Sequence, residues 1–134
     1  MPLPHDIHPL VKLAAEAVEA FVRDRRIIAP PDDFLECCPQ AARRAGTFVC
    51  LKTRGQLRGC IGTTEPTRET LAVEIIENAV AAAARDPRFD PVDAAELAEL
   101  AITVDVLSEP EPVADDTHLD HRRYGVIVRA GARH

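Results

Sequence analysis

The segment that most constrains the fold of this chain is residues 46–62, which predicts a β-hairpin. Residues 47–53 are apolar and β-branched on both faces, as expected for a central strand that is buried on two sides. Arg54 and Gly55 predict a tight turn, after which residues 56–62 return as a second strand. The first strand of this hairpin is therefore expected in the interior of a sheet.

Two longer segments have the spacing of amphipathic helices. Residues 9–25 place leucine, alanine and valine side chains on one face, with Pro9 at the first helical position. Residues 67–85 form a similar pattern, and their alanine-rich end lets another element pack closely. Asp86 and Pro87 predict the end of that helix, because a residue before proline avoids the α region.

The remaining patterns predict one short helix and two more strands. Asp93 and Glu96 have the spacing of a capping box, which predicts a helix over residues 94–100. Residues 101–107 alternate as a strand with one solvated face, and residues 124–129 are apolar enough for another strand. Because helices and strands are interspersed, the predicted fold class is α+β, with a mixed or antiparallel β-sheet flanked by helices.

Length and composition predict one soluble domain. The chain has 134 residues, 46% of them hydrophobic, and no apolar run of the length that a membrane span needs. A net charge of -6 and an aromatic content of 4% argue against binding to nucleic acid. The N-terminus lacks the pattern of a signal peptide, so we expect a cytoplasmic protein with no membrane contact. Its four cysteines are then expected to be free thiols.

The densest chemical signal is the sequence Leu-Arg-Gly-Cys-Ile-Gly at residues 57–62. Strict alternation would place Arg58 and Cys60 on one face of the strand, with Leu57 and Ile61 on the opposite, buried face. Because a guanidinium favours a nearby thiolate, one interpretation is a reactive or ligand-facing cysteine. The alternative is a small cysteine packed inside a tight sheet, since free cysteine is among the most buried residue types.

Few other residues indicate catalysis. A nucleophilic cysteine needs a base, and His118 and His121 could reach back from a surface loop, although solvated loop histidines are the simpler interpretation. No Cys-x-x-Cys pair is present, so we expect no metal and no cofactor. Cys50 could face the cysteine of the second strand and oxidise with it if the register places them opposite each other. Glu74 and Glu77 offer no paired geometry and fit a solvated helix face.

A second dense stretch, residues 85–92, follows the longer predicted helix. It could be a rigid loop that presents Arg85 and Arg88 to an anionic group. The alternative is a helix stop with local arginine–aspartate pairs and with Phe89 in the core.

Taken in order along the chain, these motifs resemble the AMMECR domain family, whose bacterial and archaeal members are called protein A of the AmmeMemoRadiSam system. The similar segments are His-Pro-Leu-Val at 8–11, the six-residue motif at 57–62, Arg-Asp-Pro-Arg-Phe at 85–89 followed by Pro91 and Val92, the strand that ends before Pro110, and Tyr-Gly-Val at 124–126. The motif around Cys60 resembles the family's signature, and its combination with the Asp-Pro-Arg-Phe stretch is specific.

The resemblance implies a fold of two unequal α/β subdomains, with the signature beside the groove between them. It implies no established biochemical role, but prokaryotic members are encoded with a Memo-like protein and a radical SAM protein. We therefore predict a binding or accessory module that acts with these two partners. The alternative is a small-molecule enzyme that uses the thiol of Cys60 beside Arg58. Because family members usually continue beyond the Tyr-Gly strand, residues 1–134 are expected to form a single domain that lacks the family's C-terminal segment.

The candidate site residues come from the same motifs. Cys60 and Arg58 are the catalytic candidates, as a hypothesis. The candidate binding residues are Leu57, Gly59, Ile61, Gly62, Arg85, Asp86, Arg88 and Phe89. The sequence indicates neither a substrate nor an oligomeric state.

Overall fold

Helices and strands are interspersed along the chain, whose computed structural model describes residues 8–108 and 126–130. The helical elements are α1 (Pro9–Asp24), α2 (Phe34–Cys37) and α3 (Leu71–Ala84), with two 3₁₀ helices, η1 (Pro39–Ala42) and η2 (Ala94–Glu99). The strands are β1 (Gly46–Thr53), β2 (Gln56–Thr63), β3 (Leu100–Ser108) and β4 (Val126–Ala130). None of the helices in this part of the chain has the length and apolarity needed to span a bilayer.

The predicted hairpin is present, and its first strand lies inside the sheet. The strand order is β2-β1-β3-β4, with β1 antiparallel to both of its neighbours and β3 parallel to β4. Arg54 and Gly55 connect β1 to β2 with φ angles of 54° and 80°. A two-residue hairpin turn of type I′ requires positive φ at both of its central residues. This mixed sheet with its helices confirms the predicted α+β class.

Helices α1 and α3 cover one face of the sheet, and the core lies between them and the strands. Val49 and Leu51 of β1 and Ile75 of α3 are fully buried there. On the other face of β1, Phe48 is half-buried and Lys52 is exposed. The prediction that β1 is buried on both sides is therefore wrong, because the described helices pack on only one side.

Helix α3 begins four residues later than the sequence pattern predicts, at Leu71 rather than at residue 67. Thr70 caps the helix, since its Oγ1 accepts a hydrogen bond from the N–H of Val73 at 3.2 Å. The N–H groups of Thr67 and Arg68 donate instead to a glutamate inside α3, which holds these two residues outside the helix.

The later elements agree with the local sequence patterns. The predicted short helix is η2, and the capping box between Asp93 and Glu96 is formed. In β3 the alternation buries Ile102, Val104 and Val106 against the helices, as predicted. The last predicted strand is β4.

Candidate functional site

The strand that carries the signature, β2, contains a β-bulge at Arg58. Two consecutive residues of β1 pair with Leu57 and Gly59, so Arg58 is the extra residue on β2. An inserted residue reverses the alternation of side chains beyond it. Leu57 therefore lies on the same face as Cys60, where it is 40% exposed, and the prediction that it is buried on the opposite face is wrong.

The Arg58 side chain is bound to η2. Its Nε and Nη2 donate to Oε1 and Oε2 of Glu96 at 2.7 and 3.0 Å, which is a bidentate pair. Its guanidinium also donates to the carbonyls of Asp90 and Pro91 at 2.8 and 3.3 Å. The hydrogen bond with Glu96 raises the pKa of Arg58 and lowers the pKa of Glu96. The guanidinium expected beside Cys60 is thus engaged with a carboxylate of another element.

Cys60 is bonded to Cys50 across the hairpin. The two residues are direct partners in the β1–β2 register, with Cα atoms 4.1 Å apart, and they form a disulfide. The expectation of four free thiols is therefore wrong for this pair, because the register places both side chains on the same face of the sheet. Cys37 and Cys38 are free.

The main chain of Cys60 is held by side chains from the loop after α3. Its N–H donates to Oδ2 of Asp86 at 3.0 Å, and its carbonyl accepts from Nη2 of Arg88 at 3.3 Å. Among the described strands, β2 is at the edge of the sheet, so these main-chain groups point to where another strand would bond. Asp86 and Arg88 therefore satisfy the edge of the signature strand in place of a neighbouring strand.

Asp86 and Arg88 also bind each other. Asp86 is 4% exposed, and Nη2 of Arg88 donates to its Oδ2 at 2.7 Å. This guanidinium, together with the N–H groups of Cys60 and Arg88, lowers the pKa of Asp86 well below its usual range. These contacts confirm a helix stop with a local arginine–aspartate pair. The prediction that Phe89 lies in the core is wrong: Phe89 is half-buried outside the core cluster, with the guanidinium of Arg88 at 5.4 Å from its ring. Arg85 is exposed at the end of α3.

The two glycines of the signature allow close packing. A Cβ atom on Gly59 would overlap the carbonyl oxygen of Ala82, so α3 can approach β2 this closely only where no side chain intervenes. A Cβ atom on Gly62 would overlap the ring of Phe48. Ile61, the direct partner of a buried β1 residue, packs against the core as predicted. These three positions of the signature have packing roles.

Glu74 is the centre of a polar cluster, and the prediction that it lies on a solvated helix face is wrong. It is 1% exposed, and its oxygens accept hydrogen bonds from Thr63, Thr67 and Arg68 at 2.7 to 2.9 Å. Burial raises the pKa of Glu74, but these four hydrogen bonds outweigh that effect and lower it overall. Asn78, one turn later, donates to the main chain of β1 at 2.9 Å. A glutamate and an asparagine one turn apart, after a threonine-rich loop, are the signal that could have indicated this cluster.

Histidine contributes to the fold away from the signature. His8 caps α1, because its Nδ1 accepts from the N–H of Leu10 at 3.1 Å, and burial lowers the pKa of His8. His118 and His121, the candidate bases, lie outside the described residues. Within the ranges that the structure describes, no group of three histidine, cysteine, aspartate or glutamate side chains is arranged to hold a metal ion.

The Arg58 network leads to a first prediction. Arg58→Lys should lower the free energy of unfolding by about 2 kcal/mol, because lysine cannot form the bidentate pair and still reach the two carbonyls. Chemical denaturation measures this change. Arg54→Lys is the matched control: Arg54 forms an exposed ion pair with Glu99 at 3.1 Å, and its replacement should change stability by less than about 0.5 kcal/mol. Equal losses in the two variants would contradict a special role for Arg58.

Comparisons with known proteins agree with the motifs. The model of the AMMECR1 family matches residues 11–134. A protein from Thermotoga maritima is 51% identical over 127 residues, which cover 94% of this chain and 72% of that protein. A protein from Clostridium acetobutylicum is 42% identical over 125 residues, which cover 93% of this chain and 26% of that protein.

A solved structure has a similar fold. The crystal structure of an uncharacterized protein from Pyrococcus horikoshii superposes with a TM-score of 0.66 at 35% identity, covering 72% of this chain and 48% of that one. The chain thus spans about half of the Pyrococcus protein and about a quarter of the Clostridium protein. Since the family model covers nearly all of the sequence and the Thermotoga protein is similar over most of both lengths, this chain belongs to the AMMECR1 family.

Proposed function

We propose that this chain is a binding module of the AMMECR1 family that acts with a Memo-like protein and a radical SAM protein. One observation supports a binding role most: the signature strand is held by hydrogen bonds from two other segments of the fold. Arg58 is bound to Glu96, while the N–H and carbonyl groups of Cys60 are bound to Asp86 and Arg88. A surface that is ordered before a partner arrives loses less conformational entropy on binding.

The surface proposed for the partner is the sheet face opposite α1 and α3. We name it the signature face and define it by Phe48, Lys52, Leu57 and Cys60. Leu57 is 40% exposed, Lys52 is exposed, and the other two are half-buried. A partner that covers Leu57 gains from burying its apolar area, and the charge of Lys52 favours acidic groups around that contact.

The identity of the partners rests on the resemblance of the motifs to proteins that are encoded with a Memo-like protein and a radical SAM protein. The alternative, a small-molecule enzyme that uses the thiol of Cys60, has less support. Arg58 is engaged by Glu96, and the sulfur of Cys60 is engaged by Cys50. The binding proposal needs neither group to be free.

Leu57→Asp should weaken the complex with the Memo-like protein of the same organism by about tenfold or more, because it places a carboxylate at the apolar contact. Isothermal titration calorimetry with the Memo-like protein, and then with the radical SAM protein, measures the affinities. Leu35→Asp is the matched control, since Leu35 is 39% exposed but lies on α2, and it should bind like the wild type.

Two outcomes would contradict this proposal separately. If the wild-type chain forms no complex at micromolar concentrations with either protein, the proposed partners are wrong. If the wild type binds and Leu57→Asp binds equally well, the signature face is not the binding surface. Circular dichroism of both leucine variants confirms that each is folded before its affinity is compared.

A further inference from the structure

We infer that Cys50 and Cys60 are a reversible thiol–disulfide couple, a redox site that exchanges two electrons with a low-molecular-weight thiol. The inference concerns the isolated chain and does not depend on the proposed partners. It rests on three features of this pair: the strand register, the contacts that hold the strands without the bond, and the partial exposure of the two cysteine residues.

The register brings the two side chains together without any movement of the strands. Cys50 and Cys60 are direct partners, and their Cα atoms are 4.1 Å apart. The N–H of Cys60 points away from β1 toward Asp86, so the pair occupies a non-hydrogen-bonded position of the antiparallel ladder. Directly opposed side chains are closest at such positions. The two sulfurs are therefore neighbours whether or not they are bonded.

The strands keep this register through contacts that do not involve the sulfurs. Strand β1 pairs with β3 over its whole length, from Gly46 to Thr53. On the other side, Cys60 is fixed by Asp86 and Arg88. The disulfide spans a sequence separation of only 10 residues inside a hairpin that is already ordered. Reduction should thus leave the two thiols opposite each other. Reoxidation then has little loop-closure entropy to overcome, because the ordered hairpin already brings the thiols together.

Both cysteines are accessible to a small reagent. Each is half-buried on the side of the sheet away from α1 and α3, and Cys60 is on a strand at the edge of the described sheet. The other two cysteines differ from this pair. Cys38 is 5% exposed and burial raises the pKa of its thiol, whereas Cys37 is exposed. Of the described cysteines, Cys50 and Cys60 are the two that face each other across a strand pair.

The exchange balances as follows. A small thiolate attacks one sulfur of the pair, which forms a mixed disulfide and breaks the bond between Cys50 and Cys60. The released sulfur leaves as a thiolate and takes a proton from water. A second small thiolate attacks the small molecule's sulfur in the mixed disulfide and forms the small-molecule disulfide, while the second protein sulfur leaves as a thiolate and takes a proton from water. The protein gains two electrons and two protons, and the reverse sequence uses a low-molecular-weight disulfide as the oxidant.

Peptide mapping of the wild-type chain in glutathione buffers tests this inference. Cleavage after lysine and arginine separates the two cysteines into peptides 45–52 and 59–68, while Cys37 and Cys38 remain together on peptide 27–43. The native protein is equilibrated at several ratios of reduced to oxidised glutathione, quenched in acid, alkylated and digested. The linked pair of peptides should increase as the buffer becomes more oxidising. The same fraction should be reached from the reduced and from the oxidised protein.

Three results would overturn the inference. The first is that the linked peptides are absent even in oxidised glutathione. The second is a bond that reduced glutathione breaks only after the protein is unfolded, which would make it a purely structural disulfide. The third is a stable mixed disulfide on Cys60 in the wild type, since Cys50 should displace the glutathione. Cys50→Ser is the control variant, in which that mixed disulfide is the expected product.

Discussion

Glu74→Ala should lower the free energy of unfolding by about 3 kcal/mol, because it removes a buried carboxylate and leaves four partly buried donors without their acceptor. The carboxylate of Glu74 is 1% exposed and accepts four hydrogen bonds from Thr63, Thr67 and Arg68. Without it, two main-chain N–H groups and two hydroxyls lose their partner, and the loop before α3 loses its contact with that helix. Urea denaturation measures the loss as a lower midpoint with an unchanged slope.

The matched control for Glu74→Ala is Glu77→Ala on the same helix. Glu77 is half-buried and forms an ion pair with Arg68 at 3.7 Å. Removing an ion pair of this kind should cost less than about 0.5 kcal/mol. Glu77 is the same residue type on the same helix, three residues away. Comparing the two variants therefore distinguishes the effect of the buried cluster from the effect of losing a surface charge. Equal costs for the two variants would contradict the account of the cluster.

The contribution of Glu74 to stability should also depend on pH in one direction. Its pKa in the folded state is below the ordinary value of 4.5, so the unfolded state binds the proton more readily. The contribution is complete above that ordinary value and is lost as the pH falls through the lower folded pKa. The stability difference between the wild type and Glu74→Gln should therefore shrink in acid. A difference that stays constant from about pH 7 to about pH 3 would contradict this assignment.

The parts of the fold that the sequence predicted depend on residues close together in the chain. The turn at Arg54 and Gly55 follows from two adjacent residues, and the start of η2 follows from Asp93 and Glu96 three residues apart. Helix α3 shows where such patterns fail. The predicted start at residue 67 lies before the observed start at Leu71, because Glu74 binds the N–H groups of Thr67 and Arg68 and keeps them outside the helix.

The candidate site was less predictable, because its contacts join residues distant in sequence. Arg58 is hydrogen-bonded to Glu96, 38 residues away in sequence, and the N–H of Cys60 is hydrogen-bonded to Asp86, 26 residues away. No spacing rule relates such positions. The bulge at Arg58 adds a second difficulty, since strict alternation assigns Leu57 to the wrong face of the strand. The motifs did indicate which segments matter, but only the contacts of β2 with the loop after α3 and with η2 show which side chains meet.

Gly59→Ala should lower the free energy of unfolding by about 3 kcal/mol, because the added methyl group would overlap the carbonyl oxygen of Ala82 in α3. The main chain at Ala82 cannot rotate away as a flexible side chain can. Helix α3 would therefore have to shift away from β2. A loss of this size corresponds to a decrease of about 10 °C in melting temperature for a domain of this length. Gly55→Asn is the control in the same hairpin. A Cβ atom there meets nothing within 4 Å, and asparagine tolerates positive φ, so the cost should be below about 1 kcal/mol.

Whether the added methyl group meets main-chain or side-chain atoms predicts which second substitutions restore stability. Ala82→Gly should not rescue Gly59→Ala, because it leaves the carbonyl oxygen of residue 82 in place. Gly62→Ala differs, since its methyl group would meet the ring of Phe48, and Phe48→Leu should recover part of the loss. A double-mutant cycle for each pair measures this difference as a coupling energy, near zero for the first pair and about 1 kcal/mol for the second. If Ala82→Gly restored the stability of Gly59→Ala, side-chain crowding would explain the glycine, and close main-chain approach of α3 to the signature strand would not.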